Sequence, residues 1–272
     1  MRLLLLSTAA ATAALASPAL AQDWAGPYVS GLIGYANADT ERSETLVFDT
    51  DQDGNYGDTV FTTAPANAFS PGFCGGAAQT ATPAGGCADD DDSGLDYGLR
   101  AGYDWQTENV VFGAVADVTR ADINDAVTGY STTPAFYTMD REVNYVVGLR
   151  GRLGYAMDRI LVYGTAGIAY GDLDRAFTTS NGANSFTERD NDGVWGPQYG
   201  VGAEYAFNER MSIGAEYLWT SLTDEDYTVR SGPGSAPPTN PFLLVDPTGT
   251  DIQRSNDQLD YGSLRLTATY RF

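Results

Sequence analysis

The chain has 272 residues, 43% of them hydrophobic, and carries 36 acidic against 15 basic residues, for a net charge of −21 and no histidine. That balance excludes nucleic acid as a partner, because phosphate binding needs basic patches, and the missing histidine removes the commonest general base and transition-metal ligand. Beyond the N-terminus no stretch approaches the ~18 consecutive apolar residues of a spanning helix, so a membrane location would require a closed β-barrel, which alone among sheets satisfies every backbone group in lipid.

The first 21 residues read as an export signal. Met1-Arg2 supplies the charge, Leu3 to Ala16 is apolar, and Ala19-Leu20-Ala21 is a small-x-small cleavage site. Residues 22–272 then form one domain, a length that suits a single barrel. Eight period-2 segments follow: Pro27–Ala38, Gly94–Gln106, Val110–Thr119, Val143–Ala156, Ile160–Gly171, Val194–Phe207, Met211–Leu222 and Gln258–Phe272. Many reach the ~9–11 residues with which a tilted strand crosses a bilayer.

The connections alternate strictly in length. Short ones lie around Glu108, Asp158 and Glu209; long ones span 39–93, 120–142, 172–193 and 223–257. Tight turns at one end and long loops at the other are the pattern of an up-and-down transmembrane barrel. The first long connection spells Asp49-Thr50-Asp51-Gln52-Asp53-Gly54, the opening of an EF-hand-like loop. Asp49, Asp51 and Asp53 are therefore a weak candidate for Ca2+, because closely spaced oxygens and a turn glycine are what that ion needs. The twelfth position is Val60, where a bidentate glutamate belongs, and Asp89 to Asp92 could supply further ligands. The bland reading, a solvated acidic loop with no cofactor, is preferred. Cys74 and Cys87 share this connection, and an exported chain meets an oxidising compartment, so they are expected to form a disulfide.

Each strand has an apolar and a polar face. In the second, Leu95, Tyr97, Leu99, Ala101, Tyr103 and Trp105 oppose Asp96, Gly98, Arg100, Gly102 and Asp104. A soluble lipocalin-like barrel would turn the apolar face inward. The polar faces, however, are mostly Gly, Ser and Thr with few charges, which suits a crowded narrow interior better than a wetted surface. Strand parity then sends Arg100, Arg150, Arg152, Arg265 and Arg271 inward, together with Asp96, Asp104, Asp117, Glu204 and Glu216. Equal numbers of each sign are what a sealed polar lumen requires, since buried charges must be paired. Aromatic residues mark the borders: Trp24, Trp105, Tyr155, Tyr205, Phe207, Tyr270 and Phe272 near the short turns, and Tyr35, Tyr145, Tyr170, Trp195 and Trp219 near the long connections.

The run Leu149-Arg150-Gly151-Arg152-Leu153-Gly154-Tyr155-Ala156-Met157-Asp158-Arg159 resembles a strand and turn of alphaproteobacterial eight-stranded outer-membrane proteins. These are known as porin-family proteins or opacity-type surface antigens and are similar to the OmpA transmembrane domain. Trp24 to Val29, Val201 to Tyr205, Ala215 to Leu218 and Tyr270-Arg271-Phe272 fit the same pattern in order. The resemblance covers nearly all strands but not the loops. It implies insertion by the outer-membrane assembly machinery, with Tyr270 and Phe272 as the terminal signal.

The expectation is thus an all-β, eight-stranded antiparallel transmembrane barrel in the outer membrane of a Gram-negative bacterium, reached after Sec export. Four long extracellular loops would leave it, and its lumen would be filled by side chains. Its partners would be outer-membrane lipid and lipopolysaccharide, and it would act as a monomer in a structural or surface-exposed role. A small-solute porin and a soluble ligand-binding barrel are the alternatives. No enzyme is expected: there is no histidine, phosphate loop or Ser/Cys nucleophile constellation.

Overall fold

In a computed structural model the described residues are 22–38, 44–88, 93–190, 193–224 and 227–272. The expected export signal and Asp89 to Asp92 lie outside them. Among the described residues there are thirteen strands. In chain order they are β1 (Gly26–Ala38), β2 (Leu46–Asp49), β3 (Gly72–Gly75), β4 (Ser93–Thr107), β5 (Val110–Ser131), β6 (Ala135–Met157) and β7 (Ile160–Thr179). Then come β8 (Ser185–Arg189), β9 (Val194–Ala206), β10 (Met211–Thr223), β11 (Thr228–Gly232), β12 (Thr250–Arg254) and β13 (Gln258–Arg271).

Eight of these close a ring in the order β5-β4-β1-β13-β10-β9-β7-β6, with β6 returning to β5, and every pairing is antiparallel. Closure leaves no edge strand in the ring, which the hydrocarbon region demands. Short turns join three hairpins at one end. Two are two-residue loops whose first residue, Glu108 or Asp158, takes a positive φ of 54° or 50°. Such a twist matches hairpin strands. In the third, the Asn208 side chain accepts from the backbone N–H groups of Arg210 and Met211.

The ring strands carry their apolar faces outward, with Leu99, Leu149, Leu153, Val201, Leu264 and Leu266 among the exposed large residues. Small residues on the inner face make room for large ones. A Cβ on Gly102 would lie 2.3 Å from the Tyr28 ring, and one on Gly148 would lie 2.5 Å from Gln198 Oε1.

Three strands run far beyond their expected ends. Residues 120–142 are not a loop: β5 and β6 continue as one hairpin that turns only at Thr132 to Pro134. Bulges explain why the alternation hides this. The β5–β6 register shifts between Thr119 and Asn124, and the β6–β7 register between Val143 and Tyr145. An extra residue flips the parity of one strand, so Val143 and Val146 both point inward and are buried.

The remaining long connections also fold. Strands β2, β12, β11 and β8 form a second antiparallel sheet, while β3 adds to the extension of β5. This sheet packs against the extended hairpins around a core of Leu46, Phe48, Phe69, Tyr137, Phe242 and Ile252. Phe69 is its centre, with its ring 4.4 Å from Phe48, 5.3 Å from Tyr137 and 5.9 Å from Phe242. The disulfide Cys74–Cys87 ties the first connection beside β5, where the Tyr130 hydroxyl donates to the Gly86 carbonyl at 3.1 Å. The barrel thus carries a sandwich-like cap with its own core.

Phe69→Ala should remove the central ring and cost the cap about 3–5 kcal/mol. Limited proteolysis of the folded protein should then cut within residues 44–88 much faster, while the barrel keeps its shifted mobility on an unheated gel. Equal cutting rates in variant and wild type would contradict a cooperative cap.

Candidate functional site

The inner face is stratified, and each strand contributes to several layers in turn. Along β5 the inward residues include Val111, Val115, Asp117, Thr119, Ala121, Ile123 and Asp125; along β7 they include Leu161, Tyr163, Ala169, Leu173, Arg175 and Phe177. At the turn end, Trp24, Val111, Ala156, Leu161, Tyr163 and Ala206 make an apolar plug. Trp24, expected at the membrane border, is instead 1% exposed inside this plug. It precedes β1, so strand parity could not orient it. Arg271 holds it by donating to the Trp24 carbonyl, with its guanidinium 5.7 Å from the indole ring.

Above the plug lies the charged layer. The structure brings together all ten side chains that strand parity sends inward, and each is buried. Arg100 bridges Asp117 at 3.1 Å and Glu216 at 2.6 Å, and Arg150 also pairs with Asp117. Arg152 pairs with Glu204 and, at 3.2 Å, with Asp104, which Arg271 also reaches at 3.2 Å. Arg265 pairs with Asp96 at 2.5 Å. Neutral groups join the net: Arg150 donates to Gln198 at 2.7 Å, Gln198 donates to Thr220 at 2.9 Å, and Tyr163 donates to Glu216 at 3.1 Å. The Arg152 guanidinium stacks 3.9 Å from the Tyr163 ring centre. Gln198 stands on the polar face of its strand, as alternation predicts, whereas nothing in the charge pattern points to Tyr163 and Tyr28 as members of the net.

A second apolar layer of Ala121, Ile123, Val143, Leu173, Leu222 and Tyr261 closes the far mouth. Above it sits a second ionic cluster, which sequence reasoning missed. Arg254 pairs with Glu44 at 2.6 Å and Asp125 at 2.7 Å, Arg141 pairs with Asp125 at 2.7 Å, and Arg175 pairs with Asp224 at 2.8 Å. Arg254 also donates to the carbonyls of Asp125 and Met139. This cluster clamps the cap sheet to the barrel hairpins. Its members stand in connections that read as solvated acidic loops, and Glu44 and Arg254 are 210 residues apart.

The calcium candidate assembles differently from its spelling. Asp49, Asp51 and Asp58 bring carboxylate oxygens within 4.8 Å of one another. Asp53 turns away and accepts from the Asn55 backbone and side chain at 2.8 and 3.0 Å. Asp49 accepts from the backbone N–H groups of Asp53 and Gly54, and Asp58 accepts from Thr50. Val60 is buried in the cap core. The turn is thus satisfied by its own hydrogen bonds. Asp89 to Asp92 lie outside the described residues.

A closed eight-stranded ring with an apolar exterior, aromatic borders and an internally neutralised polar interior defines an integral membrane β-barrel. The chain belongs to the outer membrane protein beta-barrel domain family, whose model matches residues 4–272. It is 35% identical over 127 residues to the 31 kDa outer-membrane immunogenic protein of Brucella melitensis biotype 1, covering 46% of this chain and 52% of that protein. It is 28% identical over 131 residues to the 22 kDa outer membrane protein of Rhizobium leguminosarum bv. viciae, covering 48% and 54%. The chain spans about half the length of the curated relatives it matches. Among solved structures, the outer membrane protein OprG of Pseudomonas aeruginosa is similar over 91% of this chain and 97% of that one, with 13% identity and a TM-score of 0.48. The protein is an integral β-barrel of the Gram-negative outer membrane.

Glu216→Ala should destabilise the barrel by about 3–5 kcal/mol, because it strips one partner from the buried Arg100. The double variant Arg100→Met/Glu216→Met should recover part of that loss, since an apolar pair of similar volume leaves no stranded charge. Urea unfolding in detergent micelles, followed by tryptophan fluorescence, measures both; an unchanged midpoint for Glu216→Ala would remove the network from the stability of the barrel.

In the clamp, burial raises the Asp125 carboxyl, but Arg254 and Arg141 outweigh it and hold that group below the ordinary carboxylate range. A depressed folded pKa contributes stability that is present above the unfolded value of ~3.9 and lost as pH falls through the folded one. Amide exchange should therefore show β12 protected near pH ~5 and opening at lower pH before the barrel strands do. Asp125→Asn should open β12 at neutral pH as well; protection that persists in the variant would refute the clamp.

Proposed function

We propose that this protein is a non-conducting outer-membrane scaffold that holds a folded, acidic cap at the cell surface. The observation that carries this reading is the stack across the lumen: apolar plug, charged layer, apolar layer, ionic clamp and cap core. Each guanidinium of the charged layer is held by carboxylates one to three strands away around the ring, so an ion entering would have to break buried pairs in a low-dielectric interior. The role is structural and surface-exposed, with no catalysis. The relatives bear names of outer-membrane and immunogenic proteins, and the chain has no histidine. The barrel acts as a monomer. Tyr270 and Phe272, exposed at the end of the last strand with rings 5.3 Å apart, serve as the signal read by the assembly machinery.

The purified protein inserted into a planar lipid bilayer should show no steady open level at neutral pH. A stable conductance in the wild type, lost on heat denaturation, would favour the small-solute porin instead.

A further inference from the structure

The four long connections share a feature that their acid excess hides. Each contains one run without a single charged residue: 59–88, 126–139, 176–187 and 231–245. The fold brings these runs together at the end of the cap farthest from the short turns, where β5 and β6 join at Thr132 to Pro134. A cleft of about 260 Å³ opens there, and all four connections line it, through Phe69, Thr133, Asn181 and Asn240 among others. None of the described residues lining it is charged, in a chain of net charge −21.

The cleft has two kinds of wall. Phe69, Tyr137 and Phe242 close its floor, with little of each ring showing. Its rim carries hydroxyls and amides, from Thr132, Thr133, Ser180, Asn181 and Asn240. The amides are held in place. Asn181 donates to the Tyr137 hydroxyl at 3.0 Å and accepts from the Ala183 backbone N–H at 2.9 Å. Asn240 accepts from the Phe242 backbone N–H at 3.0 Å and donates to Asn184 at 2.9 Å. The rim is therefore formed in advance, which lowers the ordering cost of binding. Thr132 and Thr133 stand exposed at the hairpin turn.

This lining selects its ligand by chemistry. An anion finds no guanidinium in it, and a cation finds no carboxylate. A wholly apolar ligand would cut the rim groups off from water without replacing their hydrogen bonds, which costs free energy. A sugar ring meets both walls, with hydroxyls around its edge and C–H groups on its faces. The volume falls below the ~300–1,000 Å³ of sites for drug-sized ligands, which suits one ring.

We propose that the cleft at the tip of the cap binds the terminal ring of a neutral glycan, with hydroxyls on the threonine and asparagine rim and a C–H face toward the aromatic floor. This adds a recognition site to the scaffold.

Saturation-transfer NMR tests it on the mature protein, in a detergent without a sugar headgroup. The neutral probes are the methyl glycosides of glucose, galactose, mannose and N-acetylglucosamine; glucuronic acid and an uncharged proline-rich peptide are the comparisons. At least one neutral glycoside should receive saturation, with a Kd on the order of 1 mM, the scale for so few atoms, and the comparisons should not. Ala183→Trp, which fills the cleft, should abolish the transfer. Ala84→Trp, at an exposed alanine outside the lining, should leave it unchanged. Thr132→Val/Thr133→Val, which removes two rim hydroxyls and keeps their shape, should weaken binding about tenfold, the scale of one or two hydrogen bonds. Heat-shifted mobility and wild-type resistance of the cap to proteolysis check that every variant is folded. No transfer to any neutral glycoside, equal transfer to glucuronic acid or to the peptide, or undiminished binding in Ala183→Trp overturns the proposal.

Discussion

The whole molecule depends on charge neutralisation inside a closed cylinder. Lipid outside the wall forbids polar side chains there, so the polar half of every strand must face inward. Once there, a charge has too little water to solvate it and survives only beside an opposite charge. Arg100, Arg150, Arg152, Arg265 and Arg271 meet that condition through Asp96, Asp104, Asp117, Glu204 and Glu216. The glycines opposite them follow from the same constraint: Gly102 leaves room for Tyr28, and Gly148 for the Gln198 and Asp117 side chains.

The same solution recurs higher up with a different purpose. In the lumen the pairs fill space between strands of one ring. At the mouth, Arg254, Arg141 and Arg175 join separate pieces of chain, and their partners Glu44, Asp125 and Asp224 come from different connections. The acids of the long connections are therefore not all solvated. Some of these acids, matched one for one by arginines, hold the cap down, and an apolar layer lies between the two networks.

Strand positions, barrel closure and the lumen charges were legible because they depend on period-2 alternation, a local property. The cap was not, because its contacts are remote. β2 pairs with β12 and β8 with β11, and nothing near Leu46 or Phe48 announces a partner at Ile252. Bulges near Asn144 and Thr119 broke the alternation where the hairpin left the membrane, so a continuous strand read as a loop. Trp24 lies outside any strand, so alternation does not orient it, and the EF-hand spacing points to Asp53 where the fold brings Asp58 beside Asp49 and Asp51. In each case a tertiary contact, or a backbone irregularity that tertiary structure tolerates, decided the outcome.

The cap sheet draws β2 from the first long connection, β8 from the third, and β11 and β12 from the fourth. Neighbouring patches of the surface it offers the outside world therefore come from stretches of chain far apart in sequence. An antibody fitted to that surface recognises a discontinuous epitope, and a synthetic peptide copying any single connection presents only a fragment of it.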